Sequence, residues 1–322
     1  MTGMGNAAIT RSSEGGRIFI NTSLVGKNLL INCTPVEDKS LMRVPPDSSF
    51  ECLWRQSAQY WEKHRQVIRQ MFVPVTQALI EEAEIVRGFH VLDVGTGTGE
   101  PALTIAELVG NEGRVCGIDP APEMIAAARR AAADEKFDSA QFEVSPADNL
   151  PFPSETFDAV ASRFAAMFFP DPPEAIREIL RVLKPRRRAA FAVWSFADSN
   201  PLHYVVTRIF DRYIAPPPLP PGAPDMFCFA APGKLRTILE EAGAVQPVER
   251  LFRFDIEALL SVEDFWQLRL DMSEKLRSKL ATASEETKAQ VSSEVIDALR
   301  EYSDEKKMSF PAEVLLVSGT KA

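Results

Sequence analysis

The chain reads as an α/β protein built on a doubly wound, mostly parallel sheet. Three observations predict this. Short apolar runs alternate with helical segments from His90 to Trp194. A glycine loop closes the first of those runs. No internal repeat interrupts the alternation. At 322 residues the chain can form one large α/β domain with insertions, or a domain plus a cap.

The first forty or so residues are rich in Gly, Ser, Thr and Asn, with only short apolar runs such as Ile18–Ile20 and Leu29–Ile31. They lack the continuous apolar core of a signal peptide, so residues 1–47 are expected to form a poorly ordered or accessory arm, and Met42 can serve as an internal start. From Ser48 to Glu84, Trp54, Tyr60, Trp61, Val67, Ile68 and Met71 recur at helical spacing, continued by Leu79, Ile80 and Ile85, which predicts an N-terminal helical lid over residues 48–88.

Strand positions follow at His90–Val94, Arg114–Ile118, Ala140–Val144, Phe157–Ala161 and Ala189–Trp194. Helices over Glu100–Val109, Pro122–Ala133 and around Ala175–Leu183 join them, so a core is expected over residues 89–200. Ala215–Pro224 is a proline-fixed connection. Lys234–Ala242 reads as helix and Val248–Phe254 as strand. Ser261–Lys307 reads as a long charged helical region, and Ala312–Gly319 as a last strand. Residues 201–322 are thus expected to supply acceptor-side cap insertions and the last strands of the same sheet.

Composition narrows the function classes. With 36 basic against 45 acidic residues the net charge is −9, which disfavours a nucleic-acid binder. No apolar stretch has the length of a membrane span. The four cysteines and three histidines are too scattered for a disulfide framework or a metal cluster, and a reducing cytoplasm is the expected location.

The chemistry concentrates in Val91-Leu92-Asp93-Val94-Gly95-Thr96-Gly97-Thr98-Gly99, which ends a strand and opens a helix. Glycines let backbone approach a ligand, and a helix start presents free N–H groups. A glycine loop also occurs merely to join strand to helix. The spacing is G-x-G-x-G rather than the G-x-G-x-x-G of dinucleotide dehydrogenases. Asp119 lies twenty residues past Gly99, at the end of the second strand. It can accept from two vicinal ribose hydroxyls or simply cap the loop before Pro120. Asp148, in Ala147-Asp148-Asn149-Leu150-Pro151-Phe152, can accept from an adenine amine or sit in a solvated turn.

Together these elements resemble the class I S-adenosylmethionine-dependent methyltransferases, and are similar to the ubiquinone/menaquinone-biosynthesis C-methyltransferases among them. The resemblance runs from about Trp54 to Trp194, with Phe157-Asp158-Ala159-Val160 and Leu180-Arg181-Val182-Leu183-Lys184-Pro185 completing it. It implies a Rossmann-like, seven-stranded sheet with an antiparallel final strand near the edge, a helical N-terminal segment and a C-terminal helical cap insertion. It also implies S-adenosyl-L-methionine as cofactor. Gly95, Thr96, Gly97 and Gly99 would then border its methionine part, with Asp93 ordering the loop and the amino group. Asp119 would hold the ribose, Met124 would pack on adenine, and Asp148 and Asn149 would read the adenine edge. Tyr60 would close over the methionine end, although it also fits the core of its helix, and Arg163 joins the cofactor set. Where relatives continue Lys-Pro-Gly-Gly, this chain has Lys184-Pro185-Arg186-Arg187-Arg188, which implies an altered turn; a basic run this short is expected to be a solvated loop.

Methyl transfer needs alignment of donor and nucleophile, exclusion of water and, for some acceptors, removal of a proton. An acceptor wall of Phe164, Met167, Phe168, Trp194 and Phe227 would suit a small apolar or aromatic molecule, or else belong in part to the core. His203 is the expected general base, with His64 as a further candidate. The expected partners are a small-molecule acceptor and no nucleic acid, with the chain a monomer or homodimer. The competing readings are an NAD-dependent oxidoreductase and a non-catalytic cofactor-binding scaffold.

Overall fold

The computed structural model describes residues 49–214, 225–304 and 306–322. The expected arm over residues 1–47 and the proline segment 215–224 lie outside them. Three helices open the described chain: α1 (Ser49–Lys63), α2 (Arg65–Met71) and α3 (Val73–Glu82). Then β1 (His90–Val94), α4 (Ala102–Val109), β2 (Arg114–Asp119), α5 (Pro122–Glu135), β3 (Ala140–Val144) and β4 (Phe157–Arg163) alternate. The core closes with α6 (Pro172–Val182) and β5 (Leu183–Trp194).

The remainder is α7 (Pro201–Tyr213), α8 (Lys234–Glu241), β6 (Ala244–Ala258), α9 (Val262–Met272), α10 (Glu274–Ala281), α11 (Glu285–Leu299), β7 (Ser303–Asp304) and β8 (Lys307–Lys321). Seven strands form one path in the order β3-β2-β1-β4-β5-β8-β6, and the two-residue β7 pairs with β8. Strands β1 to β5 are parallel, whereas β8 runs antiparallel to both β5 and β6. This is the doubly wound arrangement expected, with the antiparallel final strand one place inside the edge.

The inner end of β5 reads as an unbroken apolar run, as expected of a strand covered on both faces. Ala189 to Trp194 are all at most 3% exposed. Helix α6 starts where Asp171 accepts from the Glu174 N–H at 3.0 Å, with proline in its first turn. It buries Ala175, Ile176, Ile179 and Leu180 on one stripe. Helix α3 buries Val75, Ala78 and Leu79, so this part of the expected lid is core.

Two expectations are corrected here. The helical region expected over Ser261–Lys307 is broken into three helices, because Ser273 and Ser284 each cap a new start by accepting from the amide three residues on. It ends in β7 and the beginning of β8. The basic run after Pro185 is a bulged stretch of β5 and no solvated loop, with Arg186 at φ +61° and the register against β4 shifting there. Arg188 pairs with Glu84 at 3.1 Å and Arg187 lies over the Phe89 ring, while Lys184 just before the run pairs with Asp158 at 2.9 Å.

Candidate functional site

A cavity of about 450 Å³ opens at the carboxyl ends of the parallel strands. In doubly wound sheets this is where ligands bind, since the strand order reverses there. Here the reversal falls between β1 and β4. The glycine loop enters the wall with Gly95, Thr96, Gly97 and Thr98. The Gly95 and Thr96 amides donate to the Ile118 carbonyl at 2.8 and 2.9 Å, pinning the loop to β2. Gly95 has φ +76°, and a Cβ there would lie 2.1 Å from that of Ala165. Gly97 also needs a positive φ, +55°, but open space surrounds the Cβ position. Gly99 is not in the wall; it lets Leu103 and α5 approach the turn.

The free amides expected at the start of α4 are not free. Pro101 caps that helix, and the Ala102 N–H donates to Asp93 Oδ2 at 3.1 Å. Asp93 is wholly buried and orders the turn from behind. Burial pushes its carboxyl up to about 7, against the opposing effects of the Thr96 hydroxyl, the Arg163 guanidinium and the Ala102 amide.

Asp119 lines the cavity. Its Oδ2 accepts from the Gly97 N–H at 3.1 Å and its Oδ1 from the Ala121 N–H at 2.9 Å. The loop-capping role and the cavity-facing position therefore coexist. A carboxylate has about four acceptor positions, and two remain. Burial raises its pKa to about 6, with the two amides acting against it. Met124 lines the cavity next to Trp54 and Trp61. The third-strand loop contributes Ser145, Pro146 and Ala147, whereas Asp148 and Asn149 stand beyond the wall.

Tyr60 is turned away from the cavity, its ring under the Arg277 guanidinium at 4.2 Å. The aromatics that α1 supplies are Trp54, six residues before it, and Trp61, the next residue along. Arg163 is in the wall, donating to the Thr76 hydroxyl at 2.7 Å and the Glu100 carbonyl at 3.3 Å. Next to it Phe164, at φ +59°, stacks on Trp194 with ring centroids 4.3 Å apart. Met167 and Phe168 are also in the wall, and Phe168 meets Trp54 edge-on at 5.4 Å. Phe227 lies behind it, against the His203 ring at 5.7 Å, and Met226 faces the cavity in its place.

His203, in the first turn of α7, faces the cavity with its Nε2 unbonded. Burial, and then the Arg269 guanidinium, hold its pKa well below 6.5, so the imidazole is neutral near pH 7. His64 is committed elsewhere, to Asp271 at 2.8 Å, and His90 packs on Phe157 at the far end of β1.

Sequence reasoning missed the contribution of α9, which brings Leu268, Arg269 and Met272 to the cavity. The signal was present: Val262, Phe265, Trp266, Arg269 and Met272 share one helical stripe, so the arginine stands at a core position.

Residues 92–191 match the family model described as a methyltransferase domain. Aklanonic acid methyltransferase of a Streptomyces species is 35% identical over 38% of this chain and 56% of its own length. The ubiquinone/menaquinone biosynthesis C-methyltransferase of Geobacter sulfurreducens is 35% identical over 39% of this chain and 48% of its own. The chain thus spans about half the length of these curated relatives. Among solved structures, Haemonchus contortus phosphoethanolamine N-methyltransferase 2, in complex with S-adenosylhomocysteine, superposes with a TM-score of 0.51 at 17% identity. That match covers 83% of this chain and 59% of the other, and it shows the shared fold.

Proposed function

We propose that this chain, which carries the methyltransferase domain of the class I S-adenosylmethionine-dependent enzymes over residues 92–191, methylates a small acceptor with an apolar or aromatic body. The observation that carries the reading is one cavity walled on one side by Gly95–Thr98, Asp119 and Met124 and on the other by Phe164, Trp194 and His203.

The residues fit the cofactor. Gly97 leaves open the space a Cβ would fill, Asp119 keeps two acceptor positions for vicinal hydroxyls, and Met124 with Trp54 and Trp61 offers an apolar face for a purine. When bound, S-adenosylmethionine supplies a methyl group on a positively charged sulfur that departs as a neutral thioether, leaving S-adenosylhomocysteine. The protein then has to align the acceptor and keep water out. The stacked Phe164–Trp194 pair is a rigid apolar surface for that alignment. Neutral His203, with Nε2 unbonded, can take a proton from an acceptor that must lose one.

Thermal melting with S-adenosylhomocysteine and, separately, NAD tests the cofactor side, because a ligand of the folded state raises the melting temperature by mass action. A rise with the first alone is expected; a rise with NAD alone would overturn the reading. Methyl transfer in an acceptor panel separates the enzyme from a binding scaffold.

A further inference from the structure

Three arginines face the cavity, and two of them are engaged. Arg65 pairs with Glu135, and Arg163 donates to Thr76 and Glu100. Arg269 is different. Among the described residues it has no acidic partner, and its Nε is buried without a hydrogen bond. The acid nearest to it in sequence on α9, Asp271, is engaged with Lys63, His64 and Gln267. Burial alone lowers the Arg269 pKa, to about 10, with no neighbouring carboxylate to oppose it.

A desolvated guanidinium without a counterion costs stability, and in an apolar setting its attraction for an anion is stronger than in water. Its fork matches a carboxylate or another oxyanion in two parallel hydrogen bonds. The neighbouring groups agree with such an occupant. His203 is held neutral beside it, so the imidazole adds no second positive charge next to Arg269. The Trp194 indole, stacked on Phe164, stands 4.5 Å from the His203 ring.

We propose that Arg269 receives the negative charge of the methyl acceptor, and that the acceptor is therefore an aromatic monoanion, a carboxylate or an ionised phenol, whose ring lies against the Phe164–Trp194 pair. This rests on the methyltransferase reading for the word acceptor; the anion site itself rests on Arg269. The preference for charge comes from the guanidinium, and the preference for a flat ring from the stacked aromatics.

Calorimetry with 2-naphthoate and its uncharged counterpart 2-naphthamide tests this on the full chain, with and without saturating S-adenosylhomocysteine. The expected result is naphthoate binding at least tenfold more tightly than the amide. Arg269→Gln should abolish that preference while leaving amide and S-adenosylhomocysteine affinities unchanged, and Arg269→Lys should keep part of it. Without ligand, Arg269→Gln should melt no lower than the parent, because a half-buried unpaired charge has been removed. Equal binding of the two probes, binding of neither, or a preference that survives in Arg269→Gln would overturn the proposal. So would loss of S-adenosylhomocysteine affinity in that variant, which would put the guanidinium on the cofactor instead. Failure of the parent to bind S-adenosylhomocysteine, with the naphthoate preference intact, would overturn the methyltransferase reading and leave the anion site standing.

Discussion

Trp194 presents one face to the Phe164 ring, 5° from parallel, and takes the His203 imidazole edge-on at 4.5 Å. The last residue of β5 thereby joins the apolar wall to the one titratable ring in it. Removing the water around that ring is what disfavours its charged form.

Activity should consequently show no loss from His203 protonation near pH 6.5, where an exposed histidine would already be half charged. His203→Ala should lower kcat with little change in S-adenosylhomocysteine affinity. Stability follows the same linkage. The unfolded chain protonates this ring at about pH 6.5 and the folded one only well below, so the ring's contribution is complete above 6.5 and declines as pH falls from there. Denaturant midpoints of parent and variant between pH 5 and 8 check it; parallel curves would remove His203 from the account.

Asp119 makes a second prediction. If its two remaining acceptor positions hold ribose hydroxyls, Asp119→Ala should weaken S-adenosylhomocysteine binding by about 1–3 kcal/mol. Protonation removes acceptor capacity, and the free carboxyl titrates near 6. Affinity should therefore fall as pH drops from 7 to 5. In the free protein the raised pKa acts in the opposite sense on stability, which declines as pH rises from about 4 through 6. Calorimetry across this range decides, and a flat profile would count against the ribose role.

The two loop glycines should respond differently to alanine. At Gly95 the added methyl meets Ala165 Cβ at 2.1 Å, so the loop or the segment after β4 must move, costing about 1–3 kcal/mol on top of the left-handed backbone strain. At Gly97 only the strain applies, about 1 kcal/mol, because the space is open. Gly97→Ala should stay near the parent melting temperature yet lose S-adenosylhomocysteine affinity, since the methyl would occupy ligand space. Equal melting temperatures for the two variants would contradict this.

Asp271 ties the start of α2 to α9. Burial alone would raise its pKa, but hydrogen bonds from Lys63, His64 and Gln267 prevail and bring it to about 2. Asp271→Asn should cost about 1–2 kcal/mol, mainly through the sheltered His64 contact, because the exposed Lys63 adds little. Since α1, α2 and α9 all wall the cavity, the same variant should release S-adenosylhomocysteine faster in stopped-flow measurements. The parent's Asp271 contribution is present above about pH 4 and is lost as pH falls toward 2.

The sheet and its glycine loop were legible in one dimension because their physics is local. A strand covered on both faces is a continuous apolar run, as in Ala189–Trp194, and a tight turn pressed against another chain segment demands glycine, as at Gly95. Asp93 and Asp119 could be singled out by their distance from that loop, and Met124 through the family resemblance that the motifs carry. Only the folded chain decided which aromatic of α1 faces inward, Trp54 and Trp61 rather than Tyr60, because one helical turn offers several rings and the packing partner selects among them. Nor did the linear pattern isolate Arg269 among the charges of Ser261–Lys307. A guanidinium is ordinary on a solvated helix face. Its meaning comes from the nearly two hundred residues that separate it from β1, and from the carboxylate that no neighbour provides.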